Sequence, residues 1–412
     1  MAARAPKTAL AEAKPKTIYQ RLGVPQRINA AGTLTRLGGS LMAPEVLLAM
    51  AQAAEASVDI SELQSAASRV IAACTGAQAG IVTSGAAAGL TLATAACLAG
   101  WDVNRMAALP DTRAMPHRVL MARTHRNSYD HAVRLAGAEI VDIGHNDRGT
   151  GAGVRGLEAW EIEAAIDARS AAFLFVATPD TLADLPMVMA TAHQHGLPVI
   201  VDAAAQLPPR SNLKTFIEAG ADLVVFSGGK AIGGPQPSGI LAGRRDLVGS
   251  ALVQMMDMDV SPQTWSPSAL IDRDALKGIP HHGIGRGFKV GKEEIAGLLV
   301  ALERFVARDE DAIAEQFTAR LQAIAAALSE APSLTARLIA RDGVDQHVPL
   351  LELTFAGSAH ALSRRLQHGM PPVHLGERLA HQNVLTINPQ TLRPDDDAVL
   401  VRCLIESSRS AV

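Results

Sequence analysis

The stretch DLVVFSGGKAIGGPQPSGILAGR (222–244) places two short apolar runs, LVVF and GILAG, on either side of a segment rich in glycine and proline. From the end of the first run to the start of the second, one lysine, Lys230, stands among five glycines and two prolines. Apolar runs of this length bounded by glycine and proline are typical of buried strands. A lysine that serves only solubility needs no such surroundings, so we interpret Lys230 as an amine nucleophile that follows a buried strand.

Short apolar runs alternate with alanine-rich helical stretches in both directions from this segment. The runs predicted as strands are GIVTS (80–84), RVLMA (118–122), EIVDIG (139–144), AAFLFVA (171–177), PVIVDAAA (198–205), DLVVFSG (222–228) and SGILAGR (238–244). Unbroken apolar strands that alternate with helices predict βαβ units and a mostly parallel sheet with both faces covered. The sequence therefore predicts an α/β fold.

We predict three segments along the chain. Residues 1–27 form an arm that is mobile or packs on a partner. Residues 28–291 form the large α/β domain, which contains long loops of the kind that is usually functional. Residues 292–412 form a linking helix and a smaller α+β domain, with strands near 348–355 and 384–387.

Length and composition narrow the class of protein. The chain has 412 residues, 48% of them hydrophobic and 19% charged, as expected of a globular protein. The net charge of −3 argues against a protein that binds nucleic acid mainly through phosphate contacts. No run approaches the roughly 18 apolar residues that span a bilayer, and the three cysteines have no metal-ligand spacing. We expect a cytoplasmic protein without a metal, a nucleic-acid partner or a membrane anchor.

Polar residues follow the predicted strands at the edge where parallel sheets bind ligands. Ser84, Gly85 and Ala86 lie between a strand and a helix, whose free N–H groups can hold a phosphate; an ordinary capping serine is the structural alternative. Asp202 ends an apolar strand. A carboxylate there needs a partner, which could be an arginine, a metal or a protonated ring nitrogen.

One helix and one strand separate Asp202 from Lys230, so both side chains are predicted to project over one sheet edge. A buried lysine can form a Schiff base. The alternative is a phosphate-binding lysine, but the full P-loop order, in which Ser or Thr follows the lysine, is missing. A phosphate cradle, an acid, a stacking group and a lysine together match the needs of pyridoxal phosphate.

The predicted cofactor-binding residues share these strand ends. They are Ser84, Gly85, Ala86 and Ser227 around the phosphate, Asp202 at the pyridine nitrogen, Lys230 as the Schiff-base lysine, His125 stacked on the ring with Tyr129 as second choice, Gln206 near the ring hydroxyl, and Gly234 in the lysine loop.

Several longer segments resemble one known family. VDAAAQLPP (201–209), SGGKAIGGPQPSGIL (227–241) and INAAGTLTRLGGSLMAPEVLLAM (28–50) resemble the fold-type I pyridoxal-phosphate enzymes of the bacterial selenocysteine synthase group. PHHGIGRGFKVGKEEI (280–295) and TINPQTLRPDD (386–396) resemble more narrowly the members that are similar to D-glucosaminate-6-phosphate ammonia-lyases. The resemblance runs from about residue 28 to the C-terminus.

The resemblance implies an aspartate-aminotransferase-like fold whose active sites lie at the interface of a homodimer or larger homo-oligomer. It implies Lys230 as the Schiff-base lysine and Asp202 as the pyridine partner. Two positions depart from the family pattern. Gly229 stands where selenocysteine synthase carries an acidic residue, and Ala205 stands where many relatives carry Gln or His, with Gln206 one position later.

Candidates for the substrate side are charged residues in the loops. Arg393 is a candidate for the carboxylate of an amino acid, because arginine offers a bidentate fork. Arg286 and Lys289 are candidates for a carboxylate, a phosphate or a sugar acid. His281 and His282 are candidates for proton transfer, with His282 as the predicted catalytic one. For each residue alone a solvated surface role is the alternative, and the family match favours Arg286 and His282.

The leading hypothesis is a pyridoxal-phosphate lyase acting on a hydroxylated amino acid, possibly of phosphorylated sugar type. After Lys230 removes the α-proton, a β-hydroxyl leaves as water, and hydrolysis gives a 2-keto acid and ammonia. The sequence leaves a racemase or epimerase and an aldolase open, because the same ring stabilises the carbanion in each. A tRNA-dependent selenium transferase is disfavoured by the net charge and the short N-terminal segment, and a non-enzymatic regulator by the lack of a DNA-binding segment.

Overall fold

The computed structural model describes residues 17–145, 157–342 and 346–409, so residues 1–16 of the predicted arm lie outside the described part. The described residues divide into two compact units. The large unit comprises Gly32–Thr318 and Ala340–Pro349, and the small unit comprises the residues up to Ala31, Ala319–Ile339 and those from Leu350 onward.

Twelve strands lie in the described residues. They are β1 (Ile28–Ala30), β2 (Ala79–Thr83), β3 (Arg118–Ala122), β4 (Glu139–Ile143), β5 (Ser170–Val176), β6 (Val199–Asp202), β7 (Leu223–Ser227), β8 (Gly239–Gly243), β9 (Leu334–Ile339), β10 (Leu350–Phe355), β11 (Val373–Leu375) and β12 (Val384–Ile387).

Fourteen α-helices accompany these strands in the described residues. They are α1 (Ile18–Leu22), α2 (Pro44–Ala54), α3 (Ile60–Thr75), α4 (Ala86–Ala99), α5 (Val103–Ala108), α6 (Asp130–Leu135), α7 (Ala159–Ala165), α8 (Leu185–Gln194), α9 (Asn212–Glu218), α10 (Arg245–Met255), α11 (Lys292–Ala307), α12 (Glu310–Ala327), α13 (Ala359–His368) and α14 (Asp397–Arg409).

The large unit is built on a seven-stranded sheet in the order β2-β8-β7-β6-β5-β3-β4. Every neighbouring pair is parallel except the two that involve β8, which runs antiparallel to both β2 and β7. Helices α4, α8 and α10 bury apolar side chains in the same core as the strands. The predicted α/β fold with a mostly parallel sheet is confirmed, and all seven predicted strands of this sheet are present.

Helix α3 covers the edge strand β2, at whose end the predicted phosphate cradle lies. The buried Gln64 amide donates to Val82 O (2.8 Å) and accepts from Val82 N–H (2.9 Å). Ser68 Oγ accepts from Gly80 N–H (3.1 Å). These side chains satisfy backbone groups that an edge strand otherwise leaves unpaired, which fixes β2 in place.

The small unit holds a three-stranded antiparallel sheet, β12-β10-β9, and a parallel pair, β1-β11. The strands predicted near 348–355 and 384–387 are β10 and β12. The bounds of the units differ from the predicted domains at three places: residues 28–31 belong to the small unit, and residues 292–318 and 340–349 belong to the large unit. Strand β1 pairs with β11 and so belongs to the small unit, whereas α11 packs on α2 and α3 within the large unit. None of the described helices is long and apolar enough to cross a membrane.

Candidate active site

The predicted phosphate cradle is the N-terminus of α4. Gly85 caps this helix with φ 119° and ψ 163°, a conformation that is essentially restricted to glycine. A Cβ at Gly85 would meet no described atom within 4 Å. No described side chain caps α4, so the N–H groups of its first turn, including that of Ala86, remain available. An anion can therefore approach this helix end and bind to backbone N–H groups without a cation.

The strand register brings other candidates to the same edge of the sheet. Thr83 of β2 and Ser227 of β7 both pair with Gly239 of β8, so Ser227 lies two strands from the cradle. Asp202, the last residue of β6, pairs with Val225 of β7. These positions lie at the carboxyl ends of parallel strands, where open α/β sheets bind ligands.

Asp202 is buried and Lys230 is half-buried, and the charges of the two side chains act on one another. Asp202 is 8% exposed, and its Oδ1 accepts a hydrogen bond from Ala204 N–H (3.0 Å). Burial raises the pKa of the Asp202 carboxyl, while the Ala204 N–H and the Lys230 ammonium oppose that rise. Burial also lowers the pKa of the Lys230 amine, and the Asp202 carboxylate opposes this only in part. Lys230 is thereby biased toward the neutral amine that a nucleophile requires.

Backbone contacts fix the turn that carries Lys230. Gly233 N–H donates to Lys230 O (3.0 Å), and the Ser40 hydroxyl donates to the same carbonyl (2.6 Å). Gly229 O accepts from Ser40 N–H (3.1 Å). A Cβ at Gly229 would lie 2.6 Å from Gln236 Cα, so the loop has no room for a side chain at that position. This close packing accounts for the glycine found where the family pattern has an acidic residue.

His125 follows β3 and is 4% exposed. Val176 N–H donates to His125 Nδ1 (3.3 Å), which places the ring proton on Nε2. His125 Nε2 is buried and has no hydrogen-bond partner among the described residues. The ring packs edge-on against Phe175, with centroids 4.8 Å apart. Because Val176 pairs with Asp202, a ligand at this edge could meet the unpaired Nε2 donor.

Burial lowers the pKa of His125 from the usual 6.5 to about 4, which predicts a pH-dependent stability. The unfolded chain takes up the His125 proton as the pH falls through 6.5, and the folded chain does not do so until about 4. This contribution to stability is therefore complete above pH 6.5 and is lost between these two values. From pH 7 to 5, the unfolding free energy of cofactor-free wild type should fall by about 1–2 kcal/mol more than that of His125→Phe. Urea unfolding measures this, and equal losses in both proteins would contradict the assignment.

The conformation of Gly85 predicts a specific defect on substitution. Gly85→Ala introduces a Cβ into a strained backbone at the cradle, so we expect cofactor affinity to fall about tenfold or more and stability by about 1–3 kcal/mol. Gly76→Ala is the matched control, because Gly76 also has a positive φ (74°) with no atom within 4 Å of its Cβ position, but caps the far end of α3. Cofactor titration followed by absorbance should show weaker binding only for Gly85→Ala; equal binding in both variants would contradict the cradle.

The loops after α10 hold His282 and Arg286. Met258 N–H donates to His282 Nδ1 (3.1 Å), and His282 Nε2 lies 3.3 Å from Asp259 Oδ1. Arg286 Nη2 donates to Asp257 Oδ2 (2.6 Å). The Nε of Arg286 is buried and has no partner among the described residues. Arg286 thus has an unused donor and is held by an exposed carboxylate that an anionic ligand could replace.

A 3-10 helix (Ile284–Phe288) carries Arg286 close to the cradle. Phe288 O accepts a hydrogen bond from the Ser84 hydroxyl (2.7 Å), which ties this loop to the end of β2. Lys289 comes next and is exposed, as is His281. The structure therefore brings Arg286 and Lys289 onto the segment that touches the cradle, and leaves His281 at the surface.

Three further predicted residues of the large unit have the following surroundings, and their roles stay predictions. Tyr129 is 59% exposed at the start of α6 and lines a cleft of about 230 Å³ that also includes Ala87 of the first turn of α4. Gln206 accepts at its backbone O from Asn212 Nδ2 (2.8 Å). Gly234 N–H donates to Gly228 O (2.9 Å), so this amide braces the lysine loop.

Arg393 lies in the small unit, where it precedes a short 3-10 helix (Pro394–Asp396). Its N–H donates to Asp396 Oδ2 (3.1 Å), and its side chain is exposed. A role of Arg393 toward the substrate stays a prediction.

Sequence reasoning missed three residues that hold the site. Ser40 and Arg308 donate to carbonyls of the lysine turn, and Phe288 accepts from the cradle serine. Ser40 follows two glycines inside a segment that resembles the family, and this pattern is a usable signal. Phe288 acts through its backbone, which leaves no signal in the side chain.

Comparisons with known proteins bear on this site. A family model described as aminotransferase class-V matches residues 117–337. D-glucosaminate-6-phosphate ammonia lyase of Salmonella typhimurium is 31% identical over 407 residues, covering 96% of this chain and 98% of that protein. The chain belongs to the class-V aminotransferase family. Its cofactor is pyridoxal 5′-phosphate, as the strand-end residues predicted.

Other relatives agree with this placement. A 5′-C-glycyluridine monooxygenase-decarboxylase of a Streptomyces species is 33% identical over 404 residues, covering 94% of this chain and 91% of that protein. A solved structure of D-glucosaminate-6-phosphate ammonia-lyase has a TM-score of 0.79 at 30% identity, covering 97% of this chain and all of that one. L-seryl-tRNA(Sec) selenium transferase of Nitratidesulfovibrio vulgaris is 26% identical over 283 residues, 59% of this chain and 55% of that protein. The predicted resemblance and the fold-type I assignment are confirmed.

The chemistry of the described residues fits this cofactor. An uncapped helix N-terminus suits a phosphate, and the buried Nε2 of His125 lacks a partner in the described chain. Asp202 offers a buried carboxylate to a protonated ring nitrogen, and Lys230 offers an amine with a lowered pKa.

Proposed function

We propose that this enzyme is a pyridoxal-phosphate-dependent ammonia-lyase that converts a hydroxylated amino acid of sugar type to a 2-keto acid and ammonia. The observation that carries the proposal is the pairing of the half-buried Lys230 with the buried Asp202 at the sheet edge. The chain that holds them is 31% identical, over 96% of its length, to D-glucosaminate-6-phosphate ammonia lyase. The net reaction removes the amino group as ammonia and the β-hydroxyl as water, and one water enters as the keto oxygen.

Each residue has a role that follows from its surroundings. When bound, pyridoxal phosphate supplies an electron sink for the negative charge left at the α-carbon. Lys230 Nζ, biased toward the neutral form, accepts the α-proton and holds it for return. Asp202 lies at the end of β6, beside β7, the strand that precedes Lys230. Its buried carboxylate favours a proton on the pyridine nitrogen, because the opposite charge of the protonated ring would pair with it. The backbone N–H groups at the start of α4, including that of Ala86, and the hydroxyl of Ser227 hold the phosphate, and Gly85 leaves room for its approach. Ser84, whose hydroxyl donates to Phe288 O, is assigned a backbone contact at the cradle.

The substrate side is assigned to the loop that contacts the cradle. Arg286 has an unused Nε donor and an exposed carboxylate partner, so we assign it to an acidic group of the substrate, with Lys289 beside it. His282 is the candidate acid for the departing hydroxyl. Arg393 remains a candidate for the α-carboxylate, and His125 is preferred to the exposed Tyr129 as the ring-stacking group.

A second candidate function is oxygen-dependent decarboxylation of an amino-acid group. The 33% identity to a monooxygenase-decarboxylase favours it. Both reactions act on a carbon that carries an amino group, so the geometry of the site suits both. The two reactions are distinguished by their products. Decarboxylation by a monooxygenase consumes O2 and releases CO2, whereas the lyase reaction does neither.

The test is a product assay on the cofactor-loaded enzyme. D- and L-hydroxy amino acids, amino sugar acids and their phosphorylated forms are incubated with and without O2, and ammonia, 2-keto acid and CO2 are measured. We expect ammonia and keto acid in equal amounts, independent of O2. O2-dependent CO2 release would support the second candidate. An inverted α-carbon labelled from deuterated water would indicate a racemase, and release of an aldehyde would indicate an aldolase.

We also propose that the enzyme acts in the cytoplasm as a homodimer or larger homo-oligomer, on a small-molecule substrate and without a nucleic-acid partner. The cleft beside α4 exposes the apolar side chains of Tyr129 and Leu135, which are 59% and 61% accessible. Helix α1 exposes Ile18 and Leu22. The net charge of −3 supports the proposal that the enzyme has no nucleic-acid partner. Sedimentation equilibrium on wild type and Leu135→Glu tests the assembly, and a monomeric wild type would contradict it.

A further inference from the structure

The segment between α11 and α12 lies against the turn that carries Lys230. Arg308 follows the last residue of α11 and has an extended backbone, φ −65° and ψ 142°, which ends that helix. Its guanidinium Nη1 donates to Ala231 O (2.9 Å), the carbonyl that directly follows Lys230. Its Nη2 lies 3.4 Å from the position of a Cβ on Gly233, which closes the same turn. The guanidinium therefore packs along the lysine turn from Ala231 to Gly233.

The guanidinium of Arg308 is itself held in one place. Its carbon lies 5.5 Å from the centroid of the Phe305 ring, which lies in the last turn of α11. The side chain is only partly exposed, so the cation has left part of its water shell and depends on its protein hydrogen bond. A charge-assisted hydrogen bond from a planar, stacked group restricts the acceptor more tightly than a neutral contact.

The segment between α11 and α12 is also hydrogen-bonded to the loop that follows Asp202. Arg210 Nη1 donates to Val306 O (2.5 Å) and to Arg308 O (3.1 Å). Arg210 N–H donates to Glu310 Oε1 (2.8 Å). The loop that follows Asp202 and the turn that carries Lys230 are thus both bonded to one short segment, residues 306–310.

We propose that Arg308 is a positioning residue that fixes the lysine turn, and with it the direction in which Lys230 presents its amine to the substrate α-carbon. Arg308 reaches Lys230 only through the backbone of the turn, so its effect is on the geometry of proton transfer and not on substrate binding. The inference rests on the proposed role of Lys230. Misplacement of a reacting group by about 1 Å costs up to about 100-fold in rate.

The test compares variants of the full-length, cofactor-loaded enzyme. Arg308→Met removes the donor and keeps an unbranched apolar side chain, and Arg308→Lys keeps a cationic N–H donor group on a side chain of similar reach. Arg304→Met is the matched control, because Arg304 lies one turn earlier in α11 and pairs with the half-exposed Glu45 (2.8 Å), away from the turn.

Two readouts are measured on each variant. We expect kcat of Arg308→Met to fall about 10- to 100-fold with KM changed less than about threefold, and Arg308→Lys to recover most of the loss. Hydrogen–deuterium exchange reports the turn itself, since the N–H groups of Gly233 and Gly234 are bonded within it. Exchange in peptides covering 228–234 should rise about tenfold in Arg308→Met and stay unchanged in Arg304→Met.

Failure of the inference and failure of the role of Lys230 give different results. If exchange at 228–234 and kcat in Arg308→Met match those of Arg304→Met, the positioning role is wrong, whatever Lys230 does. If exchange rises but Lys230→Ala keeps full activity, the turn is held as described and the role of Lys230 is wrong. Should Arg308→Met not fold, Arg308→Leu, which also lacks a donor, takes its place with the same expected directions, and wild-type exchange in that variant would overturn the inference.

Discussion

Lys230→Ala should lower turnover by about 10³-fold or more and remove the covalent bond between protein and cofactor. The loss combines two roles of one amine: nucleophile toward the cofactor and acceptor of the α-proton, a step in which general base catalysis alone contributes about 10²–10⁴-fold. Steady-state kinetics and the visible spectrum of the loaded protein measure the two effects. Added primary amines should restore part of the rate, because the vacated site can admit them.

The Lys230→Arg variant distinguishes a lysine that acts as an amine nucleophile from one that only supplies a positive charge. Arginine keeps the positive charge, so a lysine that only binds phosphate would be replaced with modest loss. A guanidinium does not deprotonate near neutral pH and cannot serve as the amine nucleophile. We expect Lys230→Arg to be as inactive as Lys230→Ala, with Lys214→Ala, which changes an exposed lysine of α9, retaining its turnover number. An active Lys230→Arg enzyme would contradict the proposed chemistry.

Asp202→Asn should lower kcat by about 10²–10³-fold while leaving the cofactor-free protein at least as stable as wild type. Asparagine fills the same space and can still accept from Ala204 N–H, but it cannot hold a proton on the pyridine nitrogen by its charge. Burial raises the pKa of Asp202 above its unfolded value, so the charged form opposes folding at neutral pH. Removing the charge relieves that cost in the protein without cofactor.

Asp222→Asn is the matched control for this prediction. Asp222 is also a buried carboxylate, 7% exposed, but it lies just before β7, at the opposite end of that strand from Lys230. It accepts from His193 Nε2 (2.9 Å) and from Arg244 Nη1 (3.0 Å). We expect Asp222→Asn to lose about 1–3 kcal/mol of stability and to keep its activity, the reverse of Asp202→Asn. Equal activity losses in the two variants would show that burial, and not position at the sheet edge, determines the effect.

The sequence predicted those parts of the fold whose signals are local. Strands β5, β6 and β7 are unbroken apolar runs, and α4 is an alanine-rich helix buried nearly all round, so each is recognised from its own residues. Strands β1, β9 and β11 were missed. Strands β1 and β11 have three residues each and pair across more than 300 positions, so neither segment alone carries a strand signal.

The residues of the candidate site also divide into those that have a local sequence signal and those that have none. Asp202, Lys230 and the turn at Gly85 stand at the ends of recognisable strands, so the rule for ligand sites in parallel sheets placed them together. Arg308 and Ser40 act on carbonyl oxygens of the lysine turn, and a backbone acceptor leaves no pattern in the sequence. The tautomer of His125 depends on the N–H of Val176, which only the packing of β3 beside β5 brings to the ring.

Mapping the covalent attachment of the cofactor tests the central claim most directly. The loaded enzyme is reduced with borohydride, digested and analysed by mass spectrometry for peptides that carry the added cofactor mass. The proposed site predicts the modification on Lys230, in the peptide that contains FSGGKAIGGPQPSG (226–239), and none in Lys230→Ala. Modification of another lysine, or of none after saturation with pyridoxal phosphate, would contradict it.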